Sequence, residues 1–479
     1  MTIKKQLDYI FKPDSVAVIG ASNSPGKWGN RMIVRPVGTG FRGSFYPVNR
    51  RGEVINGIQS YKSVLDIPKN VDLAVITVPA PTVPSIMKEC AEKGVKGVVL
   101  ITAGFAEIGE QGKKLQEEVL SIAQEGGIRF VGPNCMGIWS AAGYLNLSFD
   151  KAPQPGPIAF ISQSGTFGGY LSEVANAKGY GISKFVSIGN QADIKAGDYL
   201  EYLAQDDDTR VIVYYMEGFK DGRRFFDLAK EIVKNKPIII FKAGRTQAGT
   251  RATMSHTASL AGSDSVFDAM CRQAGLIRSL EAVQSFDMAE ALAGQPLAPG
   301  KRIAILGSGG QGVVTTDACE SLGLKVPRLN DATVNELKNV MPPHAPLPTN
   351  PVDFAAGPRN GLEEASVVET LLAQDYIDGV ISNVPMNPLA RSYSANPGKI
   401  PKPLLDQTKI AIQGAELFAS LPKKYNKPVI TIRFRKFAND IICDILKGAG
   451  IPVFDTPEEC ARAMFALCTY GEQKRRHEQ

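Results

Sequence analysis

The feature that most constrains this chain is a repeated alternation of short apolar, β-branched runs with longer amphipathic segments. The runs include SVAVIG (15–20), LAVITVP (73–79) and GVVLITAG (97–104), and helical patterns such as APTVPSIMKECAEKG lie between them. A strand, a helix and a second strand in series form a parallel βαβ unit. The pattern therefore predicts an α/β protein with doubly wound parallel sheets.

The alternation restarts twice, each time after a Pro-rich joint. KAPQPGP (151–157) precedes the second series of runs, and AGQPLAPGK (293–301) precedes the third, which includes RIAILGSGGQG (302–312) and GLKVPRL (323–329). A length of 479 residues suits about three domains of roughly 150 residues each. We predict domains at 1–147, 148–296 and 297–479.

Composition narrows the class of protein. The formal net charge is +6, without a long basic block, which disfavours nucleic-acid binding and suits small anions. The N-terminus resembles no signal peptide, and no apolar run is long enough to cross a bilayer. The seven cysteines are scattered without metal-ligand spacing, which is typical of reduced thiols. We therefore expect a cytoplasmic protein without a metal site.

The first unit carries a Gly-rich turn, GASNSPGKWGN (20–30), between a strand and a helix. Such a turn brings backbone N–H groups and a helix N-terminus to a phosphate, although it departs from the dinucleotide pattern G-x-G-x-x-G. The second strand ends in Asn49, Arg50 and Arg51, where an NAD site would carry an acidic residue. These arginines favour a phosphorylated ribose, as in NADP or coenzyme A, unless they are solvated surface residues.

Other short motifs follow strands at their carboxyl ends, where open α/β sheets bind ligands. In the first unit these are VPAP (78–81) and GPNCMG (132–137). In the second unit, Ser164, Gly165 and Thr166 of ISQSGTFGG form either an anion cradle or a simple helix N-cap. Glu217 ends a later strand, where it either orients another polar group or is an exposed loop carboxylate.

His256 is one of three histidines and lies in RATMSHTASLAGSD (251–264), a stretch of small polar residues that we expect to form a loop. No Cys or His at ligand spacing accompanies it, which argues against zinc. The remaining chemical roles are general base and nucleophile, and a carboxylate such as Glu217 would fix the imidazole tautomer. A loop histidine without a function is the alternative.

Taken in order, these motifs resemble the α subunit of NDP-forming acyl-CoA synthetases, or ADP-forming acetate–CoA ligases, of the succinyl-CoA synthetase superfamily. The motifs are VPAP, GPNCMG, SQSGTFGG, SIGNQAD, YMEG and KAGRT…SHTASLAG. The third unit is similar to the flavodoxin-like domain of the ADP-forming enzymes, on GSGGQG, NPVD and GIPVFDTPEECARAM. The resemblance implies a Rossmann-like CoA-binding domain followed by two flavodoxin-like domains.

The resemblance also implies roles for individual residues. His256 is the expected phosphohistidine, Glu217 the acid that holds its imidazole, and Ser164, Gly165 and Thr166 the phosphate-binding helix N-terminus. The residues implied near coenzyme A are Gly20, Ser22, Lys27, Asn49, Arg50, Val78, Pro79, Asn134 and Cys135. Coenzyme A thereby becomes the preferred ligand of the Arg50 region over NADP.

The chain departs from the family pattern at three places. Ala258 stands where SHTGSLAG has glycine, Arg50-Arg51 replace the usual Pro-Lys, and GSGGQG replaces a Gly-Gly-Pro pattern. We also expect the chain to lack the ATP-grasp domain of this family. We therefore expect an ATP-grasp β subunit to supply the ADP/ATP site with Mg²⁺, in an α2β2 assembly.

The implied reaction converts acyl-CoA, ADP and phosphate into a carboxylic acid, CoA and ATP, through an acyl phosphate and the phosphohistidine. Two alternatives stay open on the sequence: an NADP-dependent oxidoreductase and a non-catalytic CoA-binding regulatory protein. The acyl group is not specified by any motif.

Overall fold

The computed structural model describes residues 1–257, 263–355, 360–385, 402–433 and 440–478. The chain divides into two compact units, Met1–Phe286 and Asp287–Gln479, which are described separately. The first unit holds the sheets that follow the first two series of apolar runs, and the second unit holds the sheet of the third series. The predicted fold class is confirmed.

The first sheet is parallel throughout and has five strands in the order β2-β1-β5-β6-β7. A two-stranded hairpin, β3-β4, follows β2. The strands are β1 (Ser15–Ile19), β2 (Ser44–Val48), β3 (Val54–Ile55), β4 (Ile58–Gln59), β5 (Leu73–Ile76), β6 (Gly97–Leu100) and β7 (Arg129–Val131). The helices are α1 (Ile3–Phe11), α2 (Trp28–Thr39), α3 (Val83–Lys93) and α4 (Glu110–Glu125).

The second sheet has seven strands in the order β14-β13-β12-β10-β11-β8-β9. Its first two strands, β8 and β9, pair antiparallel and lie before residue 148, so the hairpin precedes the predicted domain boundary. The strands are β8 (Ile138–Ser140), β9 (Leu145–Asn146), β10 (Ile158–Ser162), β11 (Ile182–Ser187), β12 (Val211–Met216), β13 (Ile238–Lys242) and β14 (Ile277–Ser279). The helices are α5 (Gly165–Lys178), α6 (Ala196–Ala204), α7 (Gly222–Ile232), α8 (Gln247–Thr257) and α9 (Asp264–Ala274).

The third sheet is parallel, with the order β16-β15-β17-β18-β19. Its strands are β15 (Ile303–Gly307), β16 (Val352–Asp353), β17 (Gly379–Asn383), β18 (Val429–Ile432) and β19 (Val453–Phe454). Helix α10 (Gln284–Gly294) contains the division between the units, and the described helices that follow it are α11 (Gly310–Ser321), α12 (Asp331–Lys338), α13 (Gly361–Ala373), α14 (Lys402–Tyr425), α15 (Ile441–Gly448) and α16 (Pro457–Glu478).

One predicted strand of the third unit is wrong. In GLKVPRL (323–329), Lys325 makes a single β-bridge with Arg302, and no strand forms. Pro327 has no N–H group to donate to a neighbouring strand, which limits any ladder at this point.

In each sheet, the first strand of the βαβ series lies in the interior, with the next strand on one side and a later strand on the other. The strand order therefore reverses at this first strand. In the first sheet, β1 lies between β2 and β5; in the second, β10 lies between β11 and β12. A crevice opens at the carboxyl ends of such strands and is the usual ligand site of an open α/β sheet. The turns after β1 and β10 are therefore the two positions at which the first unit is built to bind ligands.

No helix in the described ranges is both long enough and apolar enough to span a lipid bilayer.

Candidate functional site

The turn that joins β1 to α2 is closed by two glycines in contact. Gly20 has a φ of 94°, and a Cβ atom on Gly29 would lie 1.9 Å from the Gly20 carbonyl oxygen. The first turn of α2 thus approaches the strand end more closely than a residue with a side chain permits. This contact brings the positive N-terminus of α2 to the carboxyl end of β1.

The polar side chains of this turn bind the turn itself and the β3-β4 hairpin. Ser22 Oγ accepts a hydrogen bond from the Ser24 N–H at 3.1 Å, and Asn23 Nδ2 donates to the Val54 carbonyl oxygen at 2.8 Å. Lys27 is the exposed N-cap residue of α2, and its side chain makes no capping hydrogen bond. Lys27 is therefore accessible to an anion that reaches the turn.

Asn49 and Arg50 both follow β2, but Asn49 is hydrogen-bonded to the neighbouring turn whereas Arg50 is exposed. Asn49 Nδ2 donates to the Ala21 carbonyl oxygen at 2.8 Å, and Asn49 Oδ1 accepts the Arg51 N–H at 2.8 Å. Asn49 thereby fastens the end of β2 to the turn after β1. Arg50 is exposed, so its guanidinium group is accessible beside that turn.

A cleft of about 630 Å³ opens within the first unit, along strand ends of both of its sheets. Seven of the predicted site residues line it: Val78, Pro79, Asn134, Cys135, Ser164, Gly165 and Thr166. Among the other predicted site residues whose side chains are described, those that do not line it are Gly20, Ser22, Lys27, Asn49, Arg50 and Glu217. The cleft thus joins the predicted CoA side and the predicted phosphate side.

On the predicted CoA side, hydrogen bonds to backbone carbonyl groups fix the strand ends. Thr102 Oγ1 donates to the Val78 carbonyl oxygen at 2.7 Å, and the Asn134 N–H donates to the Thr102 carbonyl oxygen at 2.9 Å. Cys135 Sγ donates to the Leu100 carbonyl oxygen at 3.4 Å. Burial raises the pKa of the Cys135 thiol to about 12, so this thiol stays protonated and packs rather than reacts.

On the predicted phosphate side, the N-terminus of α5 opens onto the cleft. Ser164 is the N-cap residue, and its Oγ accepts the Phe167 N–H at 3.4 Å. A Cβ atom on Gly165 would lie 2.6 Å from Met136 Cγ, so glycine keeps this helix start close to GPNCMG. The unpaired N–H groups and the dipole of a 14-residue helix favour an anion at this end.

Glu217 follows β12 and is 5% exposed. Its backbone N–H and that of Gly218 both donate to Gln163 Oε1, at 2.9 and 3.0 Å. Gln163 follows β10, the neighbouring strand, and lies directly before Ser164. The chain therefore couples the backbone of Glu217 to the start of α5 through one side chain.

A second polar contact couples the two sheets of the first unit. Asn190, two residues after Ile188 on the segment that follows β11, donates from Nδ2 to Glu107 Oε2 at 2.6 Å. Glu107 Oε1 accepts the Gly104 N–H at 2.6 Å and the Phe105 N–H at 3.2 Å. Burial acts to raise the pKa of Glu107, but the hydrogen bonds from Asn190, Gly104 and Phe105 outweigh it and hold the pKa below its ordinary value.

The backbone of His256 lies in the last turn of helix α8, and not in a loop as the sequence predicted. The start of this helix is fastened to the end of β13, because Thr250 Oγ1 donates to the Gly244 carbonyl oxygen at 3.0 Å. The side chain of His256 and residues 258–262, which include Ala258, lie outside the described residues. The role of His256 stays a prediction.

Several polar residues that line the cleft were not predicted from the sequence. Gln163 and Glu107 each follow a strand that had been predicted, and Asn190 lies in SIGNQAD, so position at a strand end was the available signal. Trp28 and Lys220 line the cleft as well, and the sequence offered no signal for them beyond their places near a helix start and a strand end.

In the second unit, the GSGGQG turn links β15 to α11. Gly309 has a φ of 54°, and its N–H donates to Asp353 Oδ2 at 3.0 Å. Asn383 Nδ2 donates to Ser308 Oγ at 3.4 Å. The turn, Asp353 and Asn383 thus share the carboxyl edge of the third sheet.

Comparison with known proteins identifies two matching domain models and several similar proteins. A CoA binding domain model matches residues 14–141, and a model of the succinyl-CoA ligase like flavodoxin domain matches residues 155–292. The chain is 40% identical to the α subunit of ADP-forming acetate–CoA ligase II of Pyrococcus furiosus, over 96% of this chain and 97% of that protein. It is also 40% identical to the ADP-forming acetate–CoA ligase II of Archaeoglobus fulgidus, over 98% of this chain and 69% of that protein.

A solved structure shares the fold. The dinucleotide-forming acetyl-coenzyme A synthetase 1 of Ca. Korarchaeum cryptofilum, in complex with phosphate and ADP, superposes with a TM-score of 0.84 at 32% identity, over 98% of this chain and 97% of that one. Identity at this level over nearly the whole chain, together with the two matched domains, places the protein in a family. The chain belongs to the α subunits of the ADP-forming acetate–CoA ligases, within the succinyl-CoA synthetase superfamily.

Proposed function

We propose that this protein interconverts acyl-CoA, ADP and phosphate with a carboxylic acid, CoA and ATP, through an acyl phosphate and a phosphohistidine at His256. The observation that carries the proposal is a cleft in the first unit that joins VPAP and GPNCMG to the N-terminus of α5. A thioester and an anion must meet in such a reaction, and this cleft offers a position for each. Acetyl-CoA is the first substrate to test, because the relatives are named for acetate.

In the first step, an oxygen of phosphate attacks the thioester carbonyl carbon. The new C–O bond forms as the C–S bond breaks, and the proton of phosphate passes to the departing sulfur, which leaves as free CoA. The N-terminus of α5, with Ser164, Gly165 and Thr166, holds the phosphate by backbone N–H groups and helix dipole.

In the second step, the neutral imidazole of His256 attacks phosphorus. The N–P bond forms, the P–O bond to the acyl group breaks, and the carboxylate leaves with the electron pair. The second ring nitrogen keeps its proton, so the phosphorylated ring is cationic, and the Glu217 carboxylate stabilises it and fixes its tautomer. Transfer of the phosphoryl group to ADP then restores the neutral imidazole.

We propose that the last transfer takes place on an ATP-grasp β subunit that carries ADP and Mg²⁺, in an α2β2 assembly. The Archaeoglobus fulgidus relative supports a second component, because the matched region covers only 69% of its length. A cytoplasmic location stays a prediction from the sequence.

The experiment pairs the full chain with its ATP-grasp partner and supplies labelled phosphate, acyl-CoA and ADP. We expect acid-labile, base-stable labelling of this chain, abolished in His256→Asn and lowered by roughly two to four orders of magnitude in Glu217→Gln. The control is His344→Asn, because His344 is exposed in the second unit and should not affect labelling. CoA affinity should be unchanged in all three variants.

Three results would contradict the proposal. Normal labelling in His256→Asn would exclude the phosphohistidine. ATP formation by this chain alone would exclude the partner subunit. CoA binding without phosphate incorporation, in the presence of the partner, would favour a non-catalytic CoA-binding protein.

A further inference from the structure

Gln163 lies between two parts of the proposed phosphoryl-transfer site, the N-terminus of α5 and the segment that carries Glu217. It follows β10, the strand between β11 and β12, and comes directly before the N-cap residue of α5. Its own N–H donates to the Tyr215 carbonyl oxygen at 3.0 Å, which fixes its backbone against β12. Its side chain lines the cleft.

The orientation of the Gln163 amide follows from its neighbours. The N–H groups of Glu217 and Gly218 both point at the same terminal atom, at 2.9 and 3.0 Å. A group that receives two donors must be the amide oxygen, so the other terminal atom is the NH₂ group. No residue in the described ranges accepts a hydrogen bond from this Nε2.

An amide donor held in this way is ready for an acceptor in the cleft. The two backbone donors prevent the amide from rotating, so Nε2 would not have to reorganise when a ligand arrives. The neighbouring lining residues Ser164, Gly165 and Thr166 begin α5, and an anion at that helix start would be the nearest acceptor of suitable charge.

We propose that Gln163 is a catalytic residue, whose Nε2 donates a hydrogen bond to a non-bridging oxygen of the phosphoryl group held at the N-terminus of α5. The inference rests on the proposed function, since it assigns a further contact to the same phosphate. The Nε2 donor stabilises bound phosphate, the acyl phosphate and the phosphoryl group during its transfer. Oε1 holds the backbone of Glu217 in position beside the start of α5.

The variant Gln163→Glu removes the donor of the side chain and keeps its acceptor, so it tests the two functions separately. A carboxylate has the same shape and still accepts both backbone N–H groups, so the structural tie survives. Its second oxygen would present a negative charge to phosphate in place of a donor. At about pH 8, where a glutamate side chain is ordinarily ionised, we expect binding of inorganic phosphate to the full chain to weaken by about 100-fold or more.

The variant should recover as the pH falls. Protonation of the introduced carboxylate would restore an O–H donor in the place of Nε2. A bound anion beside the introduced carboxylate raises its pKa towards this range, so we expect the ratio of wild-type to variant phosphate affinity to shrink between about pH 8 and about pH 5. The other ionisable groups of the described site, Glu107, Glu217 and Lys220, are present in both proteins, so the ratio removes their direct effects on phosphate affinity. Protonation of phosphate over the same range lowers its repulsion from the introduced carboxylate and shrinks the ratio in the same direction.

Equilibrium dialysis with labelled inorganic phosphate gives this readout without relying on His256. Gln124→Glu is the control, since Gln124 is exposed on α4 and the charge change is the same; it should bind phosphate as the wild type does. Unfolding curves should overlay for wild type and Gln163→Glu, because both backbone donors keep an acceptor.

The outcomes distinguish the two proposals. Wild-type phosphate affinity in Gln163→Glu at about pH 8, or a loss that does not diminish at lower pH, would overturn the role of Gln163 and leave the phosphohistidine intact. A pH-reversible loss of phosphate binding, in a protein whose His256 is never labelled, would support Gln163 as a phosphate donor and overturn the relay through His256.

Discussion

In the turns after β1 and β10, a glycine lets the following helix pack closely on the strand end. The two turns differ in the groups that bind their polar side chains. In the first, Gly29 of α2 packs on the carbonyl oxygen of Gly20; in the second, a Cβ atom on Gly168 of α5 would lie 2.6 Å from Ser162 Cβ. Each helix therefore has a glycine among its first four residues that lets it approach the preceding strand end. A ligand at either turn meets a helix N-terminus close to a sheet edge.

The polar groups around the two turns are held differently. Ser22 and Asn23 of the first turn bind their own turn and the β3-β4 hairpin, and Lys27 and Arg50 are exposed. At the second turn, Gln163 is bound by backbone groups of the neighbouring strand's end. Exposed cations suit a ligand that binds and leaves, whereas a fixed donor suits charge that develops during a reaction.

The largest effect is expected from Gly29→Ala. The added Cβ would overlap the backbone of Gly20, which no side-chain movement relieves. We expect the free energy of unfolding to fall by about 3 kcal/mol or more and CoA affinity to fall with it. Gly38→Ala, in the same helix with no atom within 4 Å of the new Cβ, should be neutral or stabilising by about 0.5–1 kcal/mol. Equal stability of the two variants would show that α2 does not depend on the glycine contact.

Gly168→Ala should break the second turn instead. Its Cβ would meet Ser162 Cβ at 2.6 Å, and we expect a loss of about 1–3 kcal/mol in unfolding free energy. Phosphate-dependent labelling should fall while CoA binding is retained, whereas Gly29→Ala should weaken CoA binding. Gly169→Ala, which meets no atom within 4 Å, is the control. Loss of CoA binding in Gly168→Ala would show that the two turns are not independent.

A smaller effect is expected where Glu107 and Asn190 couple the two sheets. Asn190→Asp places two carboxylates at hydrogen-bond distance, and Glu107→Gln places two amide donors face to face. We expect each single variant to raise the KM for CoA by about tenfold, the factor that corresponds to roughly 1.4 kcal/mol. The double variant Glu107→Gln/Asn190→Asp restores a donor and an acceptor with their positions exchanged, so it should recover most of the loss. A double variant as impaired as the sum of the singles would refute the contact.

The pH dependence of the same pair has a defined sign. The pKa of Glu107 lies below its ordinary value of 4.5, so its ionised form stabilises the folded protein fully above that value. This stabilisation is lost as the pH falls through the lower, folded-state pKa. The difference in unfolding free energy between wild type and Glu107→Gln should therefore shrink below pH 4.5. A difference that grows on acidification would contradict the assigned hydrogen bonds.

Local sequence was sufficient to predict the ends of β1 and β10 but not the contacts made by the residues that follow them. Apolar runs such as SVAVIG and IAFIS mark β1 and β10, and the polar residues that follow must lie at the carboxyl edge. The Gln163–Glu217 and Glu107–Asn190 hydrogen bonds join residues 54 and 83 positions apart. They depend on strand order and on the packing of two sheets, which no local pattern specifies.

Two other differences have local causes. The β8-β9 hairpin consists of strands of three and two residues, too short for a period-two pattern to be distinguished from a loop. The stretch before His256 was expected to be a loop because its residues are small and polar. After Gly249 it contains neither Gly nor Pro up to Thr257, so nothing in it opposes the helix.

The smallest effect is expected at Arg50, and it decides whether the exposed cations of the first turn have a specific ligand. We predict that Arg50→Gln weakens CoA binding by about fivefold, or roughly 1 kcal/mol, because an exposed guanidinium contributes little beyond a charge-assisted hydrogen bond. The same variant should not affect binding of dephospho-CoA, which lacks the 3′-phosphate. Arg51→Gln is the matched control, since Arg51 is also exposed and only its backbone N–H has an assigned role, with Asn49. Titration calorimetry at two salt concentrations checks the cause, because added salt should narrow the gap between wild type and Arg50→Gln. Equal weakening of CoA and dephospho-CoA would place Arg50 away from the 3′-phosphate and leave Lys27 as the cation that recognises it.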